Sequence, residues 1–344
     1  MDTLTKTEQR ILASYRRLSA ARYVMSGTNN PVCACRLCRV DIDKLVTVNS
    51  DGQGHAYYGA LQHCKKVWLC SICSLNISRN RRALMAELVK RERTAGHGAA
   101  LLTYTLSHKR YDTLRRALAA LTAAHKALHS GKGWQKIAKS AGWLGSIRAI
   151  EITYTINGWH PHIHEIAFFE TDTTPDNRKA ALAPLIDRWI NSLVAQGASA
   201  TKTRGLDIKP AYGSVTDYVG KWGIVPELVN GAHKSGYGAS IVPFQLLDVI
   251  AANPDQSIRE QNLFFEYQQA THGLHQLHPS PQYRAAMVES DEPKTDSSED
   301  IALASMNGEQ WQAVWERGLR GELLIAARAG VLDAFMIKHG LSRS

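Results

Sequence analysis

Residues 151–169 constrain this chain more than any other stretch: Glu-Ile-Thr-Tyr-Thr-Ile-Asn-Gly-Trp-His-Pro-His-Ile-His-Glu-Ile-Ala-Phe-Phe. Two β-prone runs flank Asn157-Gly158, a dipeptide that closes hairpins because both residues tolerate positive φ. A hairpin centred there sets Glu151 opposite His164, Thr153 opposite His162 and Thr155 opposite His160. Side chains alternate along a strand, so His160, His162 and His164 share one face with Glu151. Pro161 has no N–H to give and needs a position that makes no ladder bond. A four-residue loop over 156–159 keeps the pairs and supplies such a position. Three imidazoles on one face are poor core filler, because each buried ring needs a polar partner. Opposite a carboxylate they make a metal-site pattern, and this donor set admits Mg2+, Mn2+ or zinc.

The cysteines form a second constraint. All six lie between residues 33 and 73, as Cys33-x-Cys35-x2-Cys38 and Cys64-x5-Cys70-x2-Cys73. The N-terminal stretch mixes charge throughout and lacks the apolar core of a secretory signal, so a reducing, cytoplasmic setting is expected. Two Cys-x2-Cys pairs then suit one tetrahedral structural Zn2+, with Cys35, Cys38, Cys70 and Cys73 as the expected ligands. Cys64, Cys33, His63 and His55 remain substitutes or ligands of a second ion. Such a module would hold the basic stretch after Cys73, including Arg79, Arg81 and Arg82, in one orientation.

Charge supports that reading. The 344-residue chain carries a net charge of +10, but residues 1–120 hold 20 Lys and Arg against 8 Asp and Glu. The surplus of the first third points to a polyanion there. No run approaches ~18 uninterrupted apolar residues, so no membrane span is expected.

Patterning gives an α+β chain: an antiparallel sheet with helices on one face, preceded by a small zinc-binding module. The expected organisation is a basic helix within 1–30, a zinc-binding and DNA-binding module over 31–95, and a core over 96–288. An acidic linker over 289–300 and a helical tail over 301–344 follow. Within the core, 99–106 reads as a buried strand, 145–154 and 160–169 as the hairpin strands, and 112–129 and 175–195 as helices. Tyr218 and Lys221 in Asp-Tyr-Val-Gly-Lys-Trp stand three apart, on one face if helical. A phenol at pKa ~10 needs a neighbouring cation before it can act as a nucleophile.

Taken in order, the apolar-Thr strand at 101–106, His162-Ile163-His164 and Tyr218-x2-Lys221 resemble the HUH endonucleases. Within that superfamily the chain is similar to the rolling-circle replication initiators of small bacterial plasmids. Cys64…Trp68-Leu-Cys70-Ser-Ile-Cys73 running into an Arg-rich helix adds to the likeness. So do Gly158-Trp-His-Pro-His-Ile-His, Val242-Pro-Phe-Gln-Leu-Leu247 and Phe265-Glu-Tyr267…Gly273. The resemblance covers roughly 55–285. It implies a central histidine strand and a divalent ion, Mg2+ or Mn2+, held by His162, His164 and Glu151, with His160 nearby. Tyr218 would attack phosphorus, become joined to the 5′ end and leave a free 3′-OH, with Lys221 steadying the phenolate or the phosphate. Its partners would be the double-strand origin, a host helicase and a host polymerase. Position 214, where some single-tyrosine members carry an acid, is Ser214, and no residue is assigned to activate the terminating water.

Other classes fit parts of the pattern. A transposase or relaxase of the same superfamily shares the histidine and tyrosine motifs. A zinc-stabilised DNA-binding regulator would use the histidines for a structural or sensing metal. A phosphodiesterase using metal-bound water would not need Tyr218.

Overall fold

Alternating apolar runs become the strands of two antiparallel sheets. The computed structural model describes residues 4–52, 54–211, 240–287 and 301–341. Tyr218, Lys221 and Ser214 therefore lie outside the described residues, as does the acidic segment 289–300. The chain divides into two units, residues 1–76, 247–261 and 292–344 in one and 77–246 with 262–291 in the other.

In the first unit, helix α1 (Lys6–Val24) starts at a capping box. Thr5 Oγ1 accepts the Glu8 N–H while the Glu8 carboxylate accepts the Thr5 N–H. Strands β1 (Val46–Ser50) and β2 (Ala56–Gly59) pair as an antiparallel hairpin. The free edge of β1 is taken by a third strand, Ile301–Met306. This corrects the expectation of a wholly helical tail. The run Ile-Ala-Leu-Ala-Ser-Met has period two and drives Ala304 and Met306 into a core with Val46, Val48 and Tyr58. The tail beyond it is helical, over Gly308–Glu316, Arg320–Arg328 and Leu332–Lys338. Trp311 packs edge-on against Tyr58 at 4.9 Å, and its indole N–H donates to Leu37 O at 2.7 Å. Segments far apart in sequence thus complete a single core around the cysteine-bearing loops.

Helix α2 (Ser71–Thr94) carries the basic stretch. The second unit is built on a five-stranded sheet in the order β6-β3-β5-β4-β7. Its members are β3 (Gly98–Thr105), β4 (Trp143–Thr155), β5 (Gly158–Phe169), β6 (Leu206–Ala211) and β7 (Leu277–Pro279). Every pairing is antiparallel, and β5, the histidine strand, is central. One face packs Leu101, Ile147, Ile166 and Phe168 against Met85, Leu88 and Val89 of α2 and against Tyr283 and Met287.

The opposite face receives α3 (Leu114–Leu128) and α4 (Pro184–Val194), where Tyr104 meets His125 at 4.9 Å and Trp189 at 5.1 Å edge-on. Helices therefore cover both faces, not one as expected. A central strand with large side chains on both sides, Ile166 and Phe168 against Ile163 and Phe169, has to be covered twice.

Candidate functional site

The β4–β5 hairpin turns through Ile156-Asn157, with Thr155 paired to Gly158. Gly158 is the first residue of β5 and stands at φ +94, and a Cβ there would come within 3.1–3.2 Å of the Lys109–Arg110 backbone. Glycine is needed for both reasons, so the turn falls one residue earlier than a centred Asn-Gly would put it. The register is corrected accordingly: Glu151 pairs with His162 and Thr153 with His160. A shift of two preserves the faces, and all three histidines still share one with Glu151.

Pro161 is explained by the same register. Tyr154 N–H donates outward to Ile241 O and Ile150 N–H to Gln276 O. Ile152, in phase with both, therefore makes no ladder bond with its partner Pro161. On the other side, β3 ends its pairing at Thr105–His162, just short of Pro161.

Side chains on this face converge diagonally. Glu151 Oε2 lies 2.7 Å from His164 Nε2, and Thr103 Oγ1 lies 3.2 Å from His164 Nδ1. The His160 and His162 rings are 3.9 Å apart, and His162 is stacked on His164 at 6.0 Å. His108, from the loop after β3, stacks on His160 at 4.4 Å, a member that spacing alone did not reveal.

Burial, then the neighbouring His160, pushes His162 down to about 3, and burial followed by His108 pushes His160 down to about 4. Both rings are therefore neutral near pH 7, the form that binds metals. His162 Nδ1 is buried with no hydrogen-bond partner. An orphaned imidazole nitrogen beside a carboxylate and a second imidazole fits a divalent ion.

Four sulfurs form a second constellation. Cys35 Sγ lies 3.6 Å from both Cys70 and Cys73, and Cys64 lies 3.8 Å from Cys73. Tetrahedral ligands at a Zn–S distance of about 2.3 Å stand about 3.8 Å apart, so the spacing is that of a four-thiolate site. Backbone N–H groups of Cys64 and Cys73 point at the sulfurs of Cys35 and Cys70, at 3.5 and 3.4 Å. Such bonds favour thiolate. Arg36 and Lys65, each just after a cysteine of the cluster, take left-handed φ of 53 and 51, a strained choice for residues with a Cβ.

The fourth sulfur is Cys64, which corrects the expected Cys38. Arg36 N–H bonds Gln62 O, Gln62 N–H bonds Cys38 O and Val40 N–H bonds Ala60 O. That ladder brings Cys35 and Cys64 to one end and leaves Cys38 exposed.

The arginines after Cys73 differ in their settings. Arg79 and Arg82 are exposed, whereas Arg81 is buried and donates from Nη1 to Gln276 Oε1 at 2.7 Å. A phosphate does not reach a side chain so placed, and Arg81 is withdrawn from the expected DNA-binding set.

Residues 58–180 match the family described as Replication protein. The chain is 25% identical to Protein rep of Streptomyces lividans, over 82% of this chain and 78% of that protein. It is 29% identical to a neomycin resistance protein of Streptomyces cyanogenus, over 37% of this chain and 35% of that one. No solved structure matches it. The matched stretch holds Cys64, Cys70, Cys73, α2 and the whole β4–β5 hairpin with its histidines. Among the described residues no helix is long and apolar enough to cross a membrane.

Proposed function

We propose that this chain, a replication protein by its family match, initiates rolling-circle replication of a plasmid by nicking one strand of the double-strand origin. The observation that carries the reading is the Glu151–His164 contact beside His162 and His160 on the central strand, inside the family-matched stretch. Such a face suits phosphoryl transfer, which needs neutralised phosphate oxygens and an in-line nucleophile more than it needs covalent help.

In this reading His162, His164 and Glu151 hold a divalent ion, Mg2+ or Mn2+, with His160 and His108 packed beside them. When bound, the ion supplies Lewis-acid polarisation of the scissile phosphate. Thr103 orients the His164 ring through Nδ1, which leaves Nε2, beside Glu151 Oε2, to face the ion. Tyr218 is the nucleophile: its phenolate oxygen bonds to phosphorus, the P–O3′ bond breaks, and the 3′ oxygen takes up a proton. The product is a 5′-phosphotyrosyl link and a 3′-OH that primes a host polymerase behind a host helicase. Rejoining reverses the step. Lys221 lowers the cost of the phenolate.

The four-cysteine cluster holds Zn2+ and, with Arg79 and Arg82, belongs to the origin-binding part. A cytoplasmic setting in a bacterium follows from this role. The test is conversion of a supercoiled plasmid carrying the candidate origin to the open circle. Nicking in the presence of Mg2+ or Mn2+, lost in His162→Ala and His164→Ala chains that stay folded, supports the reading. Retained nicking in those variants overturns it.

A further inference from the structure

The sheet face opposite these histidines carries its own ligand cluster. Glu165, in β5, is paired with Leu102 and Arg148 and points under α3. His125 and His129 stand one turn apart at the end of that helix, and ligand atoms of all three residues lie within 4.8 Å of one another. Glu165 Oε1 accepts Ser146 Oγ–H at 2.6 Å, and Oε2 lies 2.9 Å from Tyr104 Oη and 3.1 Å from His125 Nε2.

His129 makes the arrangement incomplete. Its Nδ1 lies 3.1 Å from His125 O, a carbonyl that can only accept, so the ring proton sits on Nδ1. That leaves Nε2, protonated or bare, on the far side of the ring. It is buried, lacks a hydrogen-bond partner and faces Glu165 Oε2 at 3.5 Å. Two electron-rich atoms held together away from water need a cation between them. Ligands around a tetrahedral ion at about 2.0–2.1 Å stand about 3.3 Å apart, which matches the 3.1 and 3.5 Å separations here.

The cluster also opens on space. A cavity of about 780 Å³ is lined by His125, His129, Glu165, Trp134, Arg148 and His278, among others. It leaves room for a fourth ligand. Arg148 Nη1, 3.4 Å from His125 Nδ1, lines the same cavity.

We propose that His125, His129 and Glu165 bind a second divalent transition-metal ion of the zinc class, on the sheet face opposite the histidine strand's catalytic pattern. Two imidazoles and one carboxylate with an open position are a zinc-type donor set. A carbonyl that fixes one histidine's tautomer is the usual outer support of such ligands. The rival occupant is a proton on His129 Nε2.

The experiment measures bound zinc per chain after Zn2+ loading and desalting, using the full chain in a His162→Ala background. It compares that parent with added His129→Ala or Glu165→Gln, and circular dichroism checks the fold. Loss of one equivalent in a folded variant is expected, while the four-cysteine ion stays. Equal zinc in folded variants overturns the proposal and leaves the proton. Zinc-edge anomalous diffraction from crystals of the unaltered chain decides independently of any variant. A peak between the three residues supports the site, and no peak there overturns it.

Discussion

Glu151 Oε2 lies 2.7 Å from His164 Nε2 although the two residues stand diagonally across the hairpin, Glu151 being paired with His162. The diagonal is what lets one carboxylate reach the ring of one histidine while its strand partner presents another. Glu151→Gln keeps the volume and removes the charge. It is expected to weaken Mn2+ binding and origin nicking roughly ten- to hundredfold, with the fold intact, measured by metal titration and plasmid relaxation.

The histidine face also sets a pH dependence. His162 and His160, neutral in the fold down to about 3 and about 4, titrate near 6.5 when the chain unfolds. As pH falls below 6.5 the unfolded chain binds protons first, so stability declines from there toward about pH 3 and is flat with respect to these groups above 6.5. Imidazole proton shifts should show His162 still neutral at pH 5. A His162 midpoint near 6.5 would contradict the buried, neutral ring.

At the cysteine cluster, Cys64→Ser is expected to release the bound zinc and destabilise the first unit, whereas Cys38→Ser retains both. Zinc content and thermal melting of the two variants decide between the four clustered cysteines and the set suggested by two Cys-x2-Cys pairs.

The tail is a structural partner of that cluster. Trp311→Ala removes a buried indole packed on Tyr58 and its bond to Leu37 O. The expected loss is about 3–5 kcal/mol of unfolding free energy, read by denaturant titration.

Arginines two to three turns into α2 should separate by role. Arg79→Ala and Arg82→Ala are each expected to lower the salt slope of origin binding by about one. Arg81→Ala should instead destabilise the fold, since Gln276 Oε1 loses a buried donor.

Much of this was legible in the residues. Period-two alternation fixed the β4 and β5 strands and put Glu151 with the three histidines, because a face survives any even shift of register. The shift itself came from Gly158 meeting the Lys109–Arg110 backbone, a contact between distant segments that no local turn rule contains. Cys64 displaced Cys38 for a like reason, since the ladder between 36–40 and 60–62 is tertiary. His125 and His129 sit in an Ala- and Leu-rich helix whose spacing reads as core. Only the sheet pairing that aims Glu165 beneath them reveals the cluster. His108 lies in an irregular loop and carries no periodic signal at all.

The central claim is that Tyr218 cuts DNA by becoming attached to it. It is tested most directly by incubating the full chain with a labelled hairpin oligonucleotide bearing the nick site and Mn2+ or Mg2+, then denaturing the mixture. A labelled band that migrates with the protein and vanishes in Tyr218→Phe is the expected result. Cleavage without such a band, unchanged in Tyr218→Phe, would contradict the account and assign the attack to water.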